Sequence, residues 1–431
     1  MRRVGVSVAI AAVILIAEYF VGNWLGFLFD DSSTLSIFKI VFSDEKEDAD
    51  NDVWYINVGY DKELVDVKIP NSNKAGGWDT IGRAVVTDRN TLLKILEIAE
   101  KGGCRYLFLD VRFEKGLESD LDSMLFAKIK NMKNIVVSTH KEDADYEITD
   151  RSLLDKAAYA DYESTYFSGF TKYKYLQRDT ASVALKMFSD MDGGNIKRVG
   201  PFFFFDGKLC NNMQFLTFSD DDINASSITP AFGGETLTRY NDEQIAEMMK
   251  GRIIVVGDMV NDVHSTYAGR VAGPVLNYRA YKSLTEGRHV VDWRLVLFLL
   301  VVYGVCAYLI LYAHSINIPE KTRMKLYSHP LIVFLLLNMG WSIVMFIVKL
   351  VAFYRFKSSM IIIIPTLVFS VLSMPDEYSK FKKSHELSND SDGKDGNTSN
   401  EHNPDADIIQ KSDNLEETEK QPILEDHNNQ I

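Results

Sequence analysis

Cysteine is scarce: three residues in 431, at positions 104, 210 and 306. That excludes a disulfide-dense fold and leaves stability to buried apolar surface. Cys306 lies inside an apolar run, and Cys104 and Cys210 are the one pair an oxidising compartment could join. Cys104 opens an apolar strand, where a reduced, buried thiol is expected. A basic footprint is also missing, with 47 Lys and Arg against 60 Asp and Glu and a net charge of -13. This excludes nucleic acid as a partner. The acidity is uneven, because residues 384–431 hold 13 acids against 3 lysines, a net of -10. No Walker loop, kinase signature or helix-turn-helix occurs, so no output domain is expected in the chain.

Long apolar runs are present. Val4 to Phe29 follows Arg2 and Arg3 and is interrupted only by Glu18 and Asn23. It has about the 20 residues a span requires and lacks a small-residue cleavage site, so a retained anchor is expected over residues 1–29. Glu18 is expected to face another span or to lie near a headgroup. Three further runs follow at Leu295–Tyr312, Leu331–Val348 and about Val351–Met374, giving a three-helix region over residues 294–374 and four transmembrane helices in all. Arg2 and Arg3, the group Lys321, Arg323 and Lys325, and the group Lys380, Lys382 and Lys383 place the N-terminus, the loop and the tail in the cytoplasm. Lys349, Arg355 and Lys357 fall on the other side and weigh less. Trp293 and Tyr312 bracket the second run as interface anchors. Residues 30–293 then lie outside the cytoplasm, and residues 375–431 form a disordered acidic tail, solvated by default.

Between the anchor and the bundle, periodicity predicts an α/β domain. Asp44–Asp52 is an acidic connector. Val53–Val58 is a strand, Gly76, Gly77 and Trp78 belong to an irregular loop, and Thr87 or Asp88 caps a helix over Arg89–Lys101 that Gly102 and Gly103 close. Cys104–Val111 is the next strand, which implies a parallel pair with a right-handed crossover. A second helix (Asp120–Lys130) and a third strand (Asn134–Ser138) follow. Short aromatic strands around Phe202–Phe205 and Met213–Phe218 predict antiparallel pairing, and so a mixed, mostly parallel sheet flanked by helices. The aromatic section Tyr159–Tyr175 with Phe202–Phe205 could line a ligand pocket, and ordinary sheet core is the favoured expectation.

The stretch Gly251–Tyr281 organises the rest. Ile253–Val256 is an apolar, β-branched run expected at the centre of the sheet. A polar turn with Asp258, Asn261, Asp262 and His264 follows. Gly273-Pro274 then starts a helix over Val275–Glu286, which runs into the second span. Asp258, Asp262 and His264 form an Asp-x3-Asp-x-His pattern that could ligate a divalent metal, and Asp61 and Asp110, each at a strand end, could join them. That set would suit a membrane-tethered, metal-dependent phosphoesterase-like hydrolase. The favoured expectation is a turn capped by Asp258 with local hydrogen bonds at Asp262 and His264, no metal and no cofactor. The same five residues, Asp61, Asp110, Asp258, Asp262 and His264, are then the candidates for binding a ligand.

One N-terminal span, a mixed α/β domain and three closely spaced spans resemble the CHASE-2 family, the second class of CHASE extracytoplasmic sensors. The segment NVGYDKEL is similar to that family's first strand and its acidic continuation. Residues 88–113 (DRNTLLKILEIAEKGGCRYLFLDVRF) are similar to its helix and following strand, and residues 251–281 to its closing strand, Gly-Asp turn and Pro-led helix. The family's Trp-Pro-Arg-like element is only approximated, by Trp78, Arg83 and Asp88. The resemblance covers residues 1–374. It implies a non-enzymatic, receptor-like sensor in a bacterial inner membrane. Such a sensor detects an extracytoplasmic ligand and passes the signal through its spans to a separate signalling protein.

Overall fold

Asp88 starts the first helix of the domain by accepting a hydrogen bond from the backbone N–H of Thr91 (2.8 Å). Gly103, in the left-handed region at φ 67°, ends it. Both follow from local chemistry: an acceptor for an orphan helix N–H, and a residue without Cβ where the chain turns left-handed. This is helix α2 (Arg89–Gly102) of a computed structural model that describes residues 2–26, 36, 51–70, 78–140, 151–161, 170, 172–177, 179–219, 222–223, 229, 231–312, 330–356 and 363–374. The expected tail (375–431), the loop carrying Lys321, Arg323 and Lys325, and most of the acidic connector lie outside the described residues.

Strands β1 (Val53–Asn57), β4 (Tyr106–Asp110), β5 (Ile135–Thr139), β6 (Ala157–Tyr159) and β14 (Ile253–Gly257) form one sheet in the order β1-β14-β4-β5-β6. Every pairing in it is parallel. The sheet is therefore not mixed. The antiparallel strands pair separately: β2 (Lys62–Pro70) with β3 (Trp78–Thr87), β7 (Lys172–Lys174) with β13 (Met213–Phe215), Leu176–Gln177 (β8) with Thr180–Ala181 (β9), and β10 (Ile196–Val199), β11 (Phe202–Phe205) and β12 (Lys208–Cys210) as a three-stranded meander. A parallel sheet has both faces covered by its crossover helices, which leaves short hairpins no room inside it. Trp78 opens β3 rather than lying in an irregular loop, and β2 and β3 form an exposed hairpin.

One face carries α2, α3 (Asp122–Asn131) and α5 (Asp242–Met249), with Leu92, Leu96, Leu125, Ile129, Ile245 and Met249 packed on Leu107, Leu109, Ile254 and Val256. The other carries α4 (Val183–Asp192) and α6 (Gly273–Thr285), packed on Tyr106, Phe108, Ile253 and Val255. Cys104 and Cys210 are buried on opposite faces, and all three cysteines are free. Of the aromatic section expected as core, Tyr173, Tyr175 and Phe203 are buried, whereas Phe202 is 38% exposed and Phe204 and Phe205 are only partly buried; residues 162–169 lie outside the described residues.

Helices α1 (Arg2–Trp24), α7 (Trp293–Tyr312) and α8 (Pro330–Phe356) are apolar, and among the described residues three helices are long and apolar enough to cross a membrane: Arg2–Trp24, Trp293–Tyr312 and Phe334–Phe356. Four were expected. The difference arises at Lys349, which reads as a boundary but lies buried in the last third of α8, with no Pro or Gly between it and Phe356 to stop the helix. The apolar stretch left over, α9 (Ile363–Met374), is too short to span by itself. Glu18 faces another span: both of its carboxylate oxygens accept from the Tyr303 hydroxyl, at 2.9 and 3.0 Å.

Candidate functional site at the carboxyl end of the sheet

Parallel strands all end on one edge, and that edge is where open α/β sheets gather polar groups. The register places Asn57, Gly257 and Asp110 side by side on the last rung. Alternation along β1, β4 and β5 turns Asn57, Asp110 and Ser138 to the face covered by α6. Gly257 is required at its place: a Cβ there would lie 2.4 Å from the Pro274 ring and 3.2 Å from the Asp110 Cβ. The absent side chain lets the first turn of α6 sit directly on the sheet end. Asn277 on that helix accepts from the Tyr173 hydroxyl (2.7 Å) and donates to the Gly273 carbonyl (3.2 Å).

Asp258 closes its turn as expected. It accepts from the backbone N–H groups of Val260 (3.1 Å) and Asn261 (2.8 Å), and from the Asn261 side chain at 2.9 Å. Lys62 lies 3.3 Å away. Burial raises the carboxyl, but the Asn261 bonds, the Val260 N–H and the Lys62 charge outweigh it and hold Asp258 below the usual carboxylate range. The turn is followed by a hairpin that periodicity did not reveal, β15 (Val263–Thr266) with β16 (Gly269–Ala272). Its two-residue connection, Tyr267-Ala268, carries none of the usual Gly-Asn hairpin signals.

That hairpin puts His264 Nε2 2.6 Å from Asp262 Oδ1. Loss of water and the neighbouring Asp110 charge push Asp262 up to about 7, while His140 works the other way and Asp258 adds to the rise. Asp262 keeps 45% of its side chain exposed, so solvent screens part of this pressure. Desolvation pushes His264 down to about 4. Near neutral pH the pair is therefore a neutral imidazole against a carboxyl that holds its proton easily, rather than an ion pair. Desolvation also raises Asp110, opposed by His140, Ser138 and Asn277.

The structure thus brings Asp110, Asp258, Asp262 and His264 to one end of the sheet. Asp61 also follows the carboxyl end of β1, but its carboxylate is engaged by another segment. Its carboxylate receives the backbone N–H of Gly233 at 3.1 Å and ties the segment after Ala231 to the end of β1, facing Asp88 and Lys62. Among the described residues, no group of three His, Cys, Asp or Glu side chains is placed to hold a metal ion. Sequence reasoning missed His140, which follows β5 and pairs through Nδ1 with Asp161 (2.8 Å). The rule that singled out Asp110, a polar residue at a strand end, would also have found it. Asn57 was missed as well. It is fully buried, its Oδ1 accepts from Gly59 and Met259, and its Nδ2 has no partner among the described residues.

Comparison with protein-family models, with curated proteins and with solved structures finds no match to this chain. The arrangement itself offers acceptors on Asp110 and Asp262, two imidazoles and one unused amide donor.

Proposed function

We propose that the chain is a receptor-like membrane sensor of the CHASE-2 type, set in a bacterial inner membrane with the domain outside the cytoplasm. A ligand seated at the sheet end, on Asp110, Asp258, Asp262 and His264, shifts α6, and α6 moves α7. The signal then passes through the spans to a separate protein. The observation that carries this reading is the path from the site to the membrane. Helix α6 begins against the site: a Cβ on Gly273 would lie 2.1 Å from Asp262 Oδ2. Only residues 286–292 separate its end from α7. That connector is pinned to β12 and its flank: the Asn211 N–H donates to the His289 carbonyl (2.7 Å), and the Val291 N–H to the Leu209 carbonyl (3.0 Å). A short, hydrogen-bonded link transmits displacement better than a slack one.

The test is hydrogen exchange on the full chain in lipid nanodiscs, comparing the wild type with Asp110→Asn and Asp262→Ala. The expected outcome is altered protection over residues 273–296 in both variants, with α2 and α3 unchanged. Changes confined to the substituted turn or strand end would overturn the relay.

A further inference from the structure

His289 sits in the connector between α6 and α7 and is 1% exposed. Its ring lies against Phe205 of β11, with centroids 4.6 Å apart and planes at 88°, and against Phe188 of α4 at 6.0 Å. Gly194 has to lack a side chain beside this slot, because a Cβ there would run into both phenylalanine rings. Neither imidazole nitrogen has a hydrogen-bond partner among the described residues. Buried polar groups are as a rule bonded, since the water they lose is otherwise not replaced. His289 is packed here as an aromatic wedge and not as a hydrogen-bonding group.

The wedge lies where the connector is pinned. The His289 carbonyl accepts from the Asn211 N–H (2.7 Å), the Leu209 carbonyl accepts from the Val291 N–H (3.0 Å), and Cys210 and Val290 form an antiparallel bridge between them. Gly287, at φ 71°, turns the chain just before the wedge. Without a Cβ it takes other backbone angles readily. Few charges nearby would hold a proton on the ring. Loss of water pushes His289 down to about 4, and the charge of Asp206, beyond β11, only partly opposes it. On the connector itself, Glu286 and Arg288 pair with each other (2.6 Å). On α4, Lys186 pairs with Asp190 (3.3 Å), and Asp192 pairs with Arg105 (3.5 Å). On β12, Lys208 is exposed, and burial pushes the Cys210 thiol up to about 12, so it stays neutral.

We propose that His289 is an acid-released latch: on taking up a proton it leaves the Phe188–Phe205 slot for water and frees residues 286–292 from β12. The proton lands on a ring nitrogen for which the slot offers no acceptor, so the charged ring is stable only outside it. The neutral ring keeps the connector pinned. The latch is therefore at full strength above the ordinary histidine value of 6.5 and is lost as pH falls toward about 4. At about pH 5 the ratio of released to pinned connector is about twenty-five-fold higher than at about pH 7.5. Acid thus becomes an input to the link between α6 and α7. The latch rests on the connector and not on a ligand at the sheet end, so it holds whether or not that reading does.

The test is hydrogen exchange on the full chain in lipid nanodiscs, with rates corrected for the intrinsic pH dependence of amide exchange. Between about pH 7.5 and about pH 5, protection of the Asn211 and Val291 amides in the wild type should fall about twenty-five-fold, with α2 unchanged. His289→Phe keeps an aromatic ring in the slot but takes no proton, and should hold that protection within about two-fold. His289→Leu serves the same end if Phe crowds the slot. The Asp262–His264 pair titrates over the same range, so Asp262→Asn combined with His264→Gln is the control. That double variant should keep the full wild-type response at Asn211 and Val291. An unchanged wild type would overturn the latch, as would a response that survives both His289 variants or one that vanishes in the double variant. Failure of the sheet-end relay with this response intact would count against the ligand reading alone.

Discussion

Each face of the central sheet is closed by a buried arginine–aspartate pair, and the two pairs do different work. On the α2–α3 face, Arg89 is 1% exposed and bonds Asp122 through Nε at 2.9 Å. It also donates to the Thr87 carbonyl and lies over the Phe113 ring. Its partners are the end of β3 and the start of α3, all parts of the scaffold. On the α4–α6 face, Arg279 contacts Asp222 at 2.5 Å and donates to Ser219 Oγ at 2.9 Å. Tyr55 on β1 reaches the same aspartate at 3.5 Å. This second pair ties α6 to a distant segment and to the sheet edge. Buried ion pairs recover their desolvation cost only through good geometry. One pair therefore specifies how the α2–α3 face packs, and the other specifies where α6 rests.

The comparison is tested most strongly by breaking each pair. Asp122→Ala and Asp222→Ala each remove a carboxylate from a buried guanidinium and should each cost about 3–5 kcal/mol in denaturant titrations of the full chain. Only Asp222→Ala should speed hydrogen exchange over residues 273–296. Equal effects of both variants on that stretch would erase the distinction between the faces.

Cavities of equal chemistry come next. Leu96 and Leu276 are both fully buried, one on each face. Truncating either to Ala should cost about 3 kcal/mol. The exchange of α7 should respond to Leu276→Ala alone, and a response to Leu96→Ala would show that the scaffold face is coupled to the membrane too.

A smaller effect is expected at Asp258, whose bonds hold the turn ahead of α6. Asp258→Ala should cost about 1–2 kcal/mol and Asp258→Asn clearly less, since Asn keeps one acceptor oxygen. Equal losses, together with a wild type whose melting temperature drops in chelator, would point to a metal ligand instead.

The smallest effect is the pH dependence of the Asp262–His264 pair. Asp262 is raised from 3.8 to about 7. Its contribution to stability is therefore full below about 4 and is lost as pH rises through about 7. His264 is lowered from 6.5 to about 4, so its contribution is present above about 6.5 and is lost on acidification toward about 4. In the wild type these trends oppose each other. Relative to it, Asp262→Asn should lose stability as pH falls from about 7 to about 4, and His264→Gln should gain it from about 6.5 to about 4. The neighbours Asp110, Asp258 and His140 remain in both variants. Parallel melting curves for all three proteins across that range would show that the pair does not titrate as its surroundings imply.

The α2 helix with its Asp88 cap and Gly103 stop, the strand at Ile253–Val256, the Pro-led start of α6 and the Asp258 turn were all legible in the sequence. Each is decided within a few residues, by periodicity, a capping oxygen or a ring that presets φ. The tertiary structure alone decided that β14 slots between β1 and β4, because strand partners are chosen by burial across the whole chain. That insertion gathers Asp110, Asp262 and His264 while leaving Asp61 with Gly233, and it brings in His140 and Asn57 from strands that no local pattern connects. It decided too that Lys349 is buried within α8 instead of ending a span, since a charge bounds a helix only when nothing in the bundle receives it. The slot around His289 has no sequence signature, because its walls come from segments that meet only in the folded domain.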